Sequence, residues 1–412
     1  LPLQLGTRLK VVAIIDPSAP TAEAVLARKR ASFVVSAYAA TRICPTFDDF
    51  VETMSPEEVP HAFIIGSPPA FRGSTKPRRD IEMAILRAFP NKTPAMFIEK
   101  PISTDTVENA VTVSRALYDA KTVVSVGYFL RYLKGVSHSP FFPAFFTAQP
   151  KSPWTVVQKM RSIIEDNDLH VMATVARYVC SYAKIAKPSW WMKSRDCGPI
   201  VEQGTHFIDL SRYFGGDVDM ASVQANSLEW YEEAGQLSVI PVDEDAIPED
   251  DRIPRVTSAT WFVSSLLLPT SKNSLILYSN LRKYESGAVG SLTHALILQG
   301  TKYSTELEIY ADGYQLRLID PYNAPSLRIR RPETDDEEVC TFASDDPYFG
   351  ELQAFIDACD PTSASTSAVA DDDAAEILST FDDSVKTYAL SWAIREASER
   401  SLKTARRQNA NK

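Results

Sequence analysis

The stretch that most restricts how this chain can fold is Ala95-Met96-Phe97-Ile98-Glu99-Lys100-Pro101, an apolar run that stops abruptly on a carboxylate, an ammonium and a proline. A short run with no polar alternation suits a strand buried on both faces, the condition of a parallel sheet covered by helices. Polar residues at its end then stand on the carboxyl edge of the sheet, where open α/β folds bind ligands. A lysine at such an edge is placed to exchange a proton with a bound molecule. Taken alone, Glu-Lys-Pro also suits an ordinary exposed loop. The order of the surrounding elements separates the two readings.

Before that stretch, Arg8–Ile15 is a β-branched apolar run ending at Asp16, and Thr21–Ala31 carries apolar residues at helical spacing. Asp48–Met54 reads as a short helix, Ala62–Ile65 as a buried strand ending at Gly66-Ser67-Pro68-Pro69, and Arg79–Phe89 as a helix. After it come a helix over Val107–Ala120 and a strand over Val123–Gly127. Strands alternating with such helices predict a doubly wound parallel sheet, all its strand carboxyl ends on one edge. A dinucleotide-binding domain of this kind opens strand, G-x-G-x-x-G, helix. None of the 15 glycines has that spacing. Leu1–Leu5 resembles the last turn of a helix capped by Gly6, and the first residue is Leu rather than Met. The expectation is that a strand, the glycine loop and most of a helix lie upstream. The alternative is a protein that never had a phosphate loop.

Two groups at the ligand edge carry double readings. Asp16, at the end of what would be the second strand, can accept hydrogen bonds from an adenosine ribose and repel a 2′-phosphate, favouring NAD over NADP; it, or Ser18, equally serves as an N-cap. Ser67-Pro68-Pro69 forms a stiff loop against which a flat ligand can lie, or simply a turn.

In the second half, Tyr128-Phe129-Leu130-Arg131-Tyr132 leads into a crossover, with Arg131 either positioning a polar ligand or pinning two domains by a salt bridge. Thr155–Glu165 is an amphipathic helix and Val171–Tyr182 is strand-like. Trp190-Trp191 precedes the helix Ile200–Phe214, which Gly215-Gly216 ends. Glu202, His206, Asp209 and Tyr213 share one of its faces, and a neutral imidazole one turn from a carboxylate suits proton transfer. A surface His–Glu pair is the alternative. Strands are then expected at Ser222–Leu228, Val256–Ser264, Leu275–Ser279, Ala288–Leu298, Thr305–Ala311, Gln315–Ile319 and Leu327–Arg331, a mostly antiparallel sheet covered on one side by helices. His294 falls mid-strand, as a satisfied sheet histidine. The acidic Glu232–Pro254 and Asp360–Asp373 segments read as loops, and Ala375–Glu399 as a closing helix.

A chain of 412 residues exceeds one simple core, so two domains are expected: a dinucleotide-binding domain over 1–132, an α/β substrate and oligomerisation domain over 133–399, and a polar tail over 400–412. A net charge of −10 without a basic stripe argues against nucleic acid, and no run approaches a membrane span. Five scattered cysteines with no C-x-x-C point to packing rather than metal. With no signal peptide before the first strand, the expected compartment is the cytoplasm.

Glu99-Lys100-Pro101, Gly127–Tyr132 and Gly198–Gly216 (GPIVEQGTHFIDLSRYFGG), in this order and separation, resemble the glucose–fructose oxidoreductase / inositol dehydrogenase (Gfo/Idh/MocA) family. The resemblance implies a Rossmann domain, a C-terminal α/β domain with a large open sheet, and hydride transfer with NAD or NADP in the cleft between them. By position, Lys100 would hydrogen-bond the reacting oxygen and His206 would exchange its proton, with Glu202 where the family commonly has Asp. Arg72 stands where family members often carry His. The candidate cofactor contacts are Asp16, Ser67, Pro68, Pro69, Glu99, Lys100 and Arg131; the candidate substrate contacts are Tyr128, Trp190 and Asp209. The expected partners are a small sugar, polyol or cyclic alcohol and further copies of the chain, associated through the C-terminal sheet. A non-catalytic, dinucleotide-sensing regulator on the same fold is the second reading.

Overall fold

A computed structural model describes residues 5–133, 137–138, 156–182, 192, 195, 197–228, 233–235, 238, 246–248, 250–251, 282–342, 346–359 and 376–410. Its first unit holds the parallel strands β1 (Ala13–Ile15), β2 (Arg42–Cys44), β3 (Ala62–Ile65), β4 (Ala95–Ile98) and β5 (Val124–Val126). β1 pairs with β2, while β3, β4 and β5 form a second ladder. All of β4 is buried, as its unbroken apolar sequence requires. The connecting helices are α1 (Ala19–Arg30), α2 (Phe47–Thr53), α3 (Ile81–Ala88) and α4 (Val107–Asp119). Ala110, Val113 and Leu117 of α4 turn inward at steps of three and four, one stripe of the helical period.

Phe50 of α2 meets Phe63 of β3 edge to face, with ring centroids 6.2 Å apart. The two ladders thus share one core, although no backbone bond joins them. Doubly wound order places a further strand between them, and none of the described strands lies there. The expected run Arg8–Ile15 is a strand only from Ala13, where the ladder with β2 begins at Arg42; just before it, the Val11 N–H donates to the Ala37 carbonyl and the Val12 carbonyl accepts from the Arg42 N–H.

The second unit is an eight-stranded sheet of β6 (Ser137–His138), β7 (Val171–Ser181), β8 (Arg282–Lys283), β9 (Val289–Leu298), β10 (Ser304–Ala311), β11 (Tyr314–Ile319), β12 (Ser326–Arg330) and β13 (Glu337–Phe342). In space the order is β6-β13-β12-β11-β10-β7-β9-β8, antiparallel except for the parallel β7–β9 pair. Leu327, Leu318, Leu307, Ala176 and Leu292 lie opposite one another across five strands and are buried. This inner face is covered by α5 (Val156–Asp166) and α6 (Thr205–Gly215). The outer face alternates to charge, with Arg177, Glu306, Arg317, Glu308, Glu337 and Arg328 in ion pairs.

The chain then returns to the first unit. Phe355 of α7 (Pro347–Cys359) stacks edge-on against Phe97 of β4 at 5.8 Å. On the opposite side, Phe381, Val385 and Tyr388 of α8 (Phe381–Ala410) join the core beneath β4 and β5. Just before α8, Ser379 receives the Val126 N–H (2.8 Å) and its hydroxyl donates to the Val126 carbonyl (2.7 Å).

Several expectations are corrected. Ser222–Leu228 is not a strand; Met220–Ser222 is a 3₁₀ turn capped by the Asp219 side chain. β13 and α7 were not anticipated, and α8 continues past Glu399 to Ala410 because no glycine or proline interrupts that basic stretch. Val256–Ser264, Leu275–Ser279 and the Asp360–Asp373 segment lie outside the described residues, as does most of Glu232–Pro254. Among the described residues no helix is long and apolar enough to cross a membrane.

Candidate active site

The carboxyl ends of β1, β3, β4 and β5 deliver Asp16, Gly66-Ser67, Glu99-Lys100 and Gly127-Tyr128 to one edge. Facing them is the start of the long helical segment that carries Glu202 and His206. The first turn, Ile200–Gly204, is π-helical, and only from Thr205 is the segment α-helical. The wider turn shifts the phase between the two parts, and such turns recur at functional sites. Cys197 and Gly198, both at positive φ, set its entry angle. Gly204 packs against His294 of β9, where an added Cβ would lie in ordinary contact with the ring at 3.4 Å.

Lys100 spans the gap. Its Nζ donates to the Glu202 carbonyl at 2.7 Å and stands 3.5 Å from Glu202 Oε1. The Lys100–Pro101 peptide is cis. One turn on, His206 is sealed among Tyr128, Phe129 and Tyr322, with ring centroids at 6.2, 5.2 and 6.1 Å. Burial, reinforced by the Lys100 charge, holds the imidazole well below its usual pKa, so it is neutral near pH 7. Nδ1 is buried without a hydrogen-bond partner among the described residues. Tyr178 and Tyr303 extend the aromatic wall through Tyr322, at 5.8 and 5.7 Å, and Tyr348 of α7 stacks on Phe129 at 4.5 Å.

Other candidates fall elsewhere. Arg131 grips Asp209 through two bonds of 2.7 and 2.6 Å and Asp383 at 2.6 Å. Burial alone would lower the guanidinium's pKa, but the two carboxylates outweigh it and raise it. Arg212 completes the cluster through Asp217 at 2.6 Å and Asp383 at 2.9 Å. Neither Arg131 nor Asp209 presents a group to the cleft; of the alternatives for Arg131, the pinning salt bridge is what forms. Tyr128 is also turned inward, its hydroxyl 2.8 Å from Thr205 Oγ1. It is a wall residue rather than a substrate contact. Trp190 lies outside the described residues. His294 pairs through Nε2 with Gln203 Oε1 at 3.1 Å, as a sheet histidine.

The residues present fit part of a dinucleotide. Gly66 has open space where a side chain would stand, Ser67 Oγ is buried without a partner, and a Cβ on Gly127 would meet Glu99 Oε2 at 3.0 Å. Asp16 accepts the Ser18 N–H at 2.7 Å through one oxygen. These residues would hold the adenosine and nicotinamide ends of a bound dinucleotide. No described residue supplies the pyrophosphate cradle.

The model of the oxidoreductase family with an NAD-binding Rossmann fold matches residues 2–128, and an oxidoreductase C-terminal domain model matches 154–314. Uncharacterized protein UNK4.17 of Schizosaccharomyces pombe is 42% identical over 96% of this chain and 85% of its own. A second protein of that yeast, C12C2.04, is 40% identical over 95% of this chain and 88% of its own. The chain belongs to the Gfo/Idh/MocA oxidoreductase family. The same fold is seen in UDP-N-acetylglucosamine 3-dehydrogenase GnnA from Acidithiobacillus ferrooxidans (TM-score 0.59, 16% identity, 95% of this chain and 90% of that one). It recurs in the WlbA dehydrogenase of Bordetella pertussis in complex with NADH and UDP-GlcNAcA (0.56, 14%, 96% and 90%). Levoglucosan dehydrogenase, in complex with NADH and levoglucosan, also shares it (0.60, 15%, 97% and 91%).

Within this oxidoreductase, the aromatic wall was the part sequence reasoning missed. Tyr178 carried a signal, an inward position on an alternating strand. Tyr322 and Tyr348 carried none, because they come from a turn and a helix start that only the tertiary fold brings to His206.

Proposed function

We propose that this oxidoreductase is an NAD(P)-dependent dehydrogenase that moves a hydride between a nicotinamide and a hydroxyl-bearing carbon of a sugar, polyol or cyclic alcohol. The observation that carries the proposal is Lys100, which reaches from the Rossmann edge to the π turn one turn before His206. A bound nicotinamide supplies the hydride acceptor. In the oxidative direction His206, neutral at pH 7, takes the hydroxyl proton, and the Lys100 ammonium stabilises the developing charge on oxygen. Glu202 holds Lys100 from the far side, and the tyrosine wall offers flat apolar surface to a ring substrate. Levoglucosan and UDP-GlcNAcA, the ring compounds bound by two dehydrogenases of this fold, agree with that class. Asp16 favours NAD over NADP because a 2′-phosphate beside it would be repelled.

We assign cofactor binding to the first unit together with α7 and α8, substrate binding to the eight-stranded sheet, and self-association to its outer face. The test is nicotinamide absorbance at 340 nm with NAD or NADP against a panel of sugars, polyols and cyclic alcohols. K100A and H206Q are expected to lose about 10²–10⁴-fold in kcat while still binding NADH. Turnover unchanged in both variants would overturn the assignment, and NADH binding without turnover on any compound would favour a regulator.

A further inference from the structure

The Lys100 turn is held from behind by a side chain with no part in the chemistry above. Arg72 follows the proline loop and is 1% exposed. Its Nη1 donates to the Ser67 carbonyl, Nη2 to the Lys100 carbonyl at 3.2 Å, and Nε and Nη2 to the Pro101 carbonyl at 3.2 and 3.0 Å. Every acceptor is a backbone oxygen of one of two segments, the Ser67-Pro68-Pro69 loop and the Lys100-Pro101 turn. Among the described residues Arg72 has no ion pair within 4 Å. The next residue closes the joint: Gly73 sits at φ +65°, a Cβ on it would lie 2.2 Å from the Ile102 carbonyl oxygen, and its N–H donates to Glu82 Oε2 at 2.9 Å.

We propose that Arg72 is a positioning residue that locks the proline loop to the Lys100–Pro101 turn and thereby fixes where the Lys100 ammonium stands against Glu202. Only a planar fork of five donors spans three carbonyls in this way; an ammonium is a point, and an amide has two donors. The catalytic consequence rests on Lys100 acting as proposed, but the positional claim does not.

The experiment therefore reads the position of Lys100 directly. Intact wild type, R72A, R72K and R72Q are treated with 2,4,6-trinitrobenzenesulfonate, and labelling of Lys100 and of exposed Lys92 is followed by peptide mass spectrometry. In the wild type the Lys100 side chain is 16% exposed and held by Glu202. Labelling of Lys100 is expected to rise about tenfold in R72A and R72K, with Lys92 unchanged, because the released turn spends more time open. Millimolar guanidinium chloride, far below denaturing concentration, is expected to slow Lys100 labelling in R72A toward the wild-type rate. With a substrate found by the panel, kcat of R72A should fall about 100-fold at saturating NAD, with the KM for NAD raised because the released Ser67-Pro68-Pro69 loop is a candidate cofactor contact. Folded variants whose Lys100 labels at the wild-type rate overturn the proposal. If no substrate turns over, the labelling result still decides the positional claim. If R72A, R72K and R72Q all fail to fold, Arg72 is a general folding determinant and the proposal falls.

Discussion

At the scale of single residues, two buried titratable groups make opposite demands on pH. Burial pushes Glu82 from 4.5 up to about 7, against the Gly73 N–H and the Arg72 charge, which favour the anion. For an acid raised in the folded state, the unfolded chain releases its proton first, so stability is full below pH 4.5 and is lost as pH rises toward 7. The loss is on the order of 3 kcal/mol. Glu82→Gln keeps an acceptor for Gly73 and removes that penalty. It is expected to leave Tm unchanged at pH 4.5 and raise it at pH 8; equal shifts at both pH values would show that Glu82 is ionised in the fold. His294 works the other way. Burial takes it from 6.5 to about 3, so the unfolded chain gains the proton first and stability drains away as pH falls below 6.5. By pH 4.5 the cost is roughly 2–3 kcal/mol, and His294→Gln should flatten that acid limb in urea titrations. Lys100, Glu202 and His206 were legible in the sequence because each ends or opens a periodic segment. Burial of Glu82 was not, since a glutamate in the first turn of a helix reads as solvent-facing.

At the scale of elements, uniform periodicity was easy to read and irregular geometry was not. β3 and α4 begin where expected, and β4 follows the apolar run to its end. The helix at 200–214 was read as uniform, whereas its first turn is π-helical; the residues of a wider turn have the same composition as those of an α-turn, so no sequence pattern announces it. β13 was missed because Glu337 and Glu338 break the apolar alternation, and they do so because they pair with Arg317, Arg328 and Arg331. The Arg131–Asp209–Asp383–Arg212 cluster joins three elements that are far apart in sequence: the turn after β5, α6 and α8. Asp209→Asn would leave Arg131 buried and short of one carboxylate, and breaking a buried pair costs about 3–5 kcal/mol. Urea denaturation should show that loss. If Asp209 contacted substrate instead, D209N would raise KM and leave the urea midpoint in place.

At the scale of the whole molecule, the outer face of the large sheet is the surface to which self-association is assigned by proposal. The expectation of self-association rested on the apolar patch that an open sheet face would expose if left bare. The structure gives a mixed one. Across it runs the row Val339, Arg328, Arg317, Glu308 and Val175, each opposite the next. Arg317 stands 2.8 Å from Glu306 and 3.2 Å from Glu337, so most of the charge is already paired within one copy. Exposed pairs of this kind add little stability by themselves. Once neutralised, however, they no longer oppose burial as isolated charges would. What remains unsatisfied is apolar: Val175, Ile297, Tyr310 and Val339 are 40%, 44%, 37% and 43% exposed. A second copy on this face would cover all four while leaving the ion pairs intact. The intact protein is therefore expected to sediment as a multiple of its 45.7 kDa mass, and V175E combined with V339K, which sets a like charge beside Glu308 at one end of that row and beside Arg328 at the other, is expected to return it to the single-copy mass. A wild-type protein that sediments as one copy at about 10 µM would show that the paired charges cover a solvent-facing surface, and that the cleft around Lys100 and His206 is complete within a single chain.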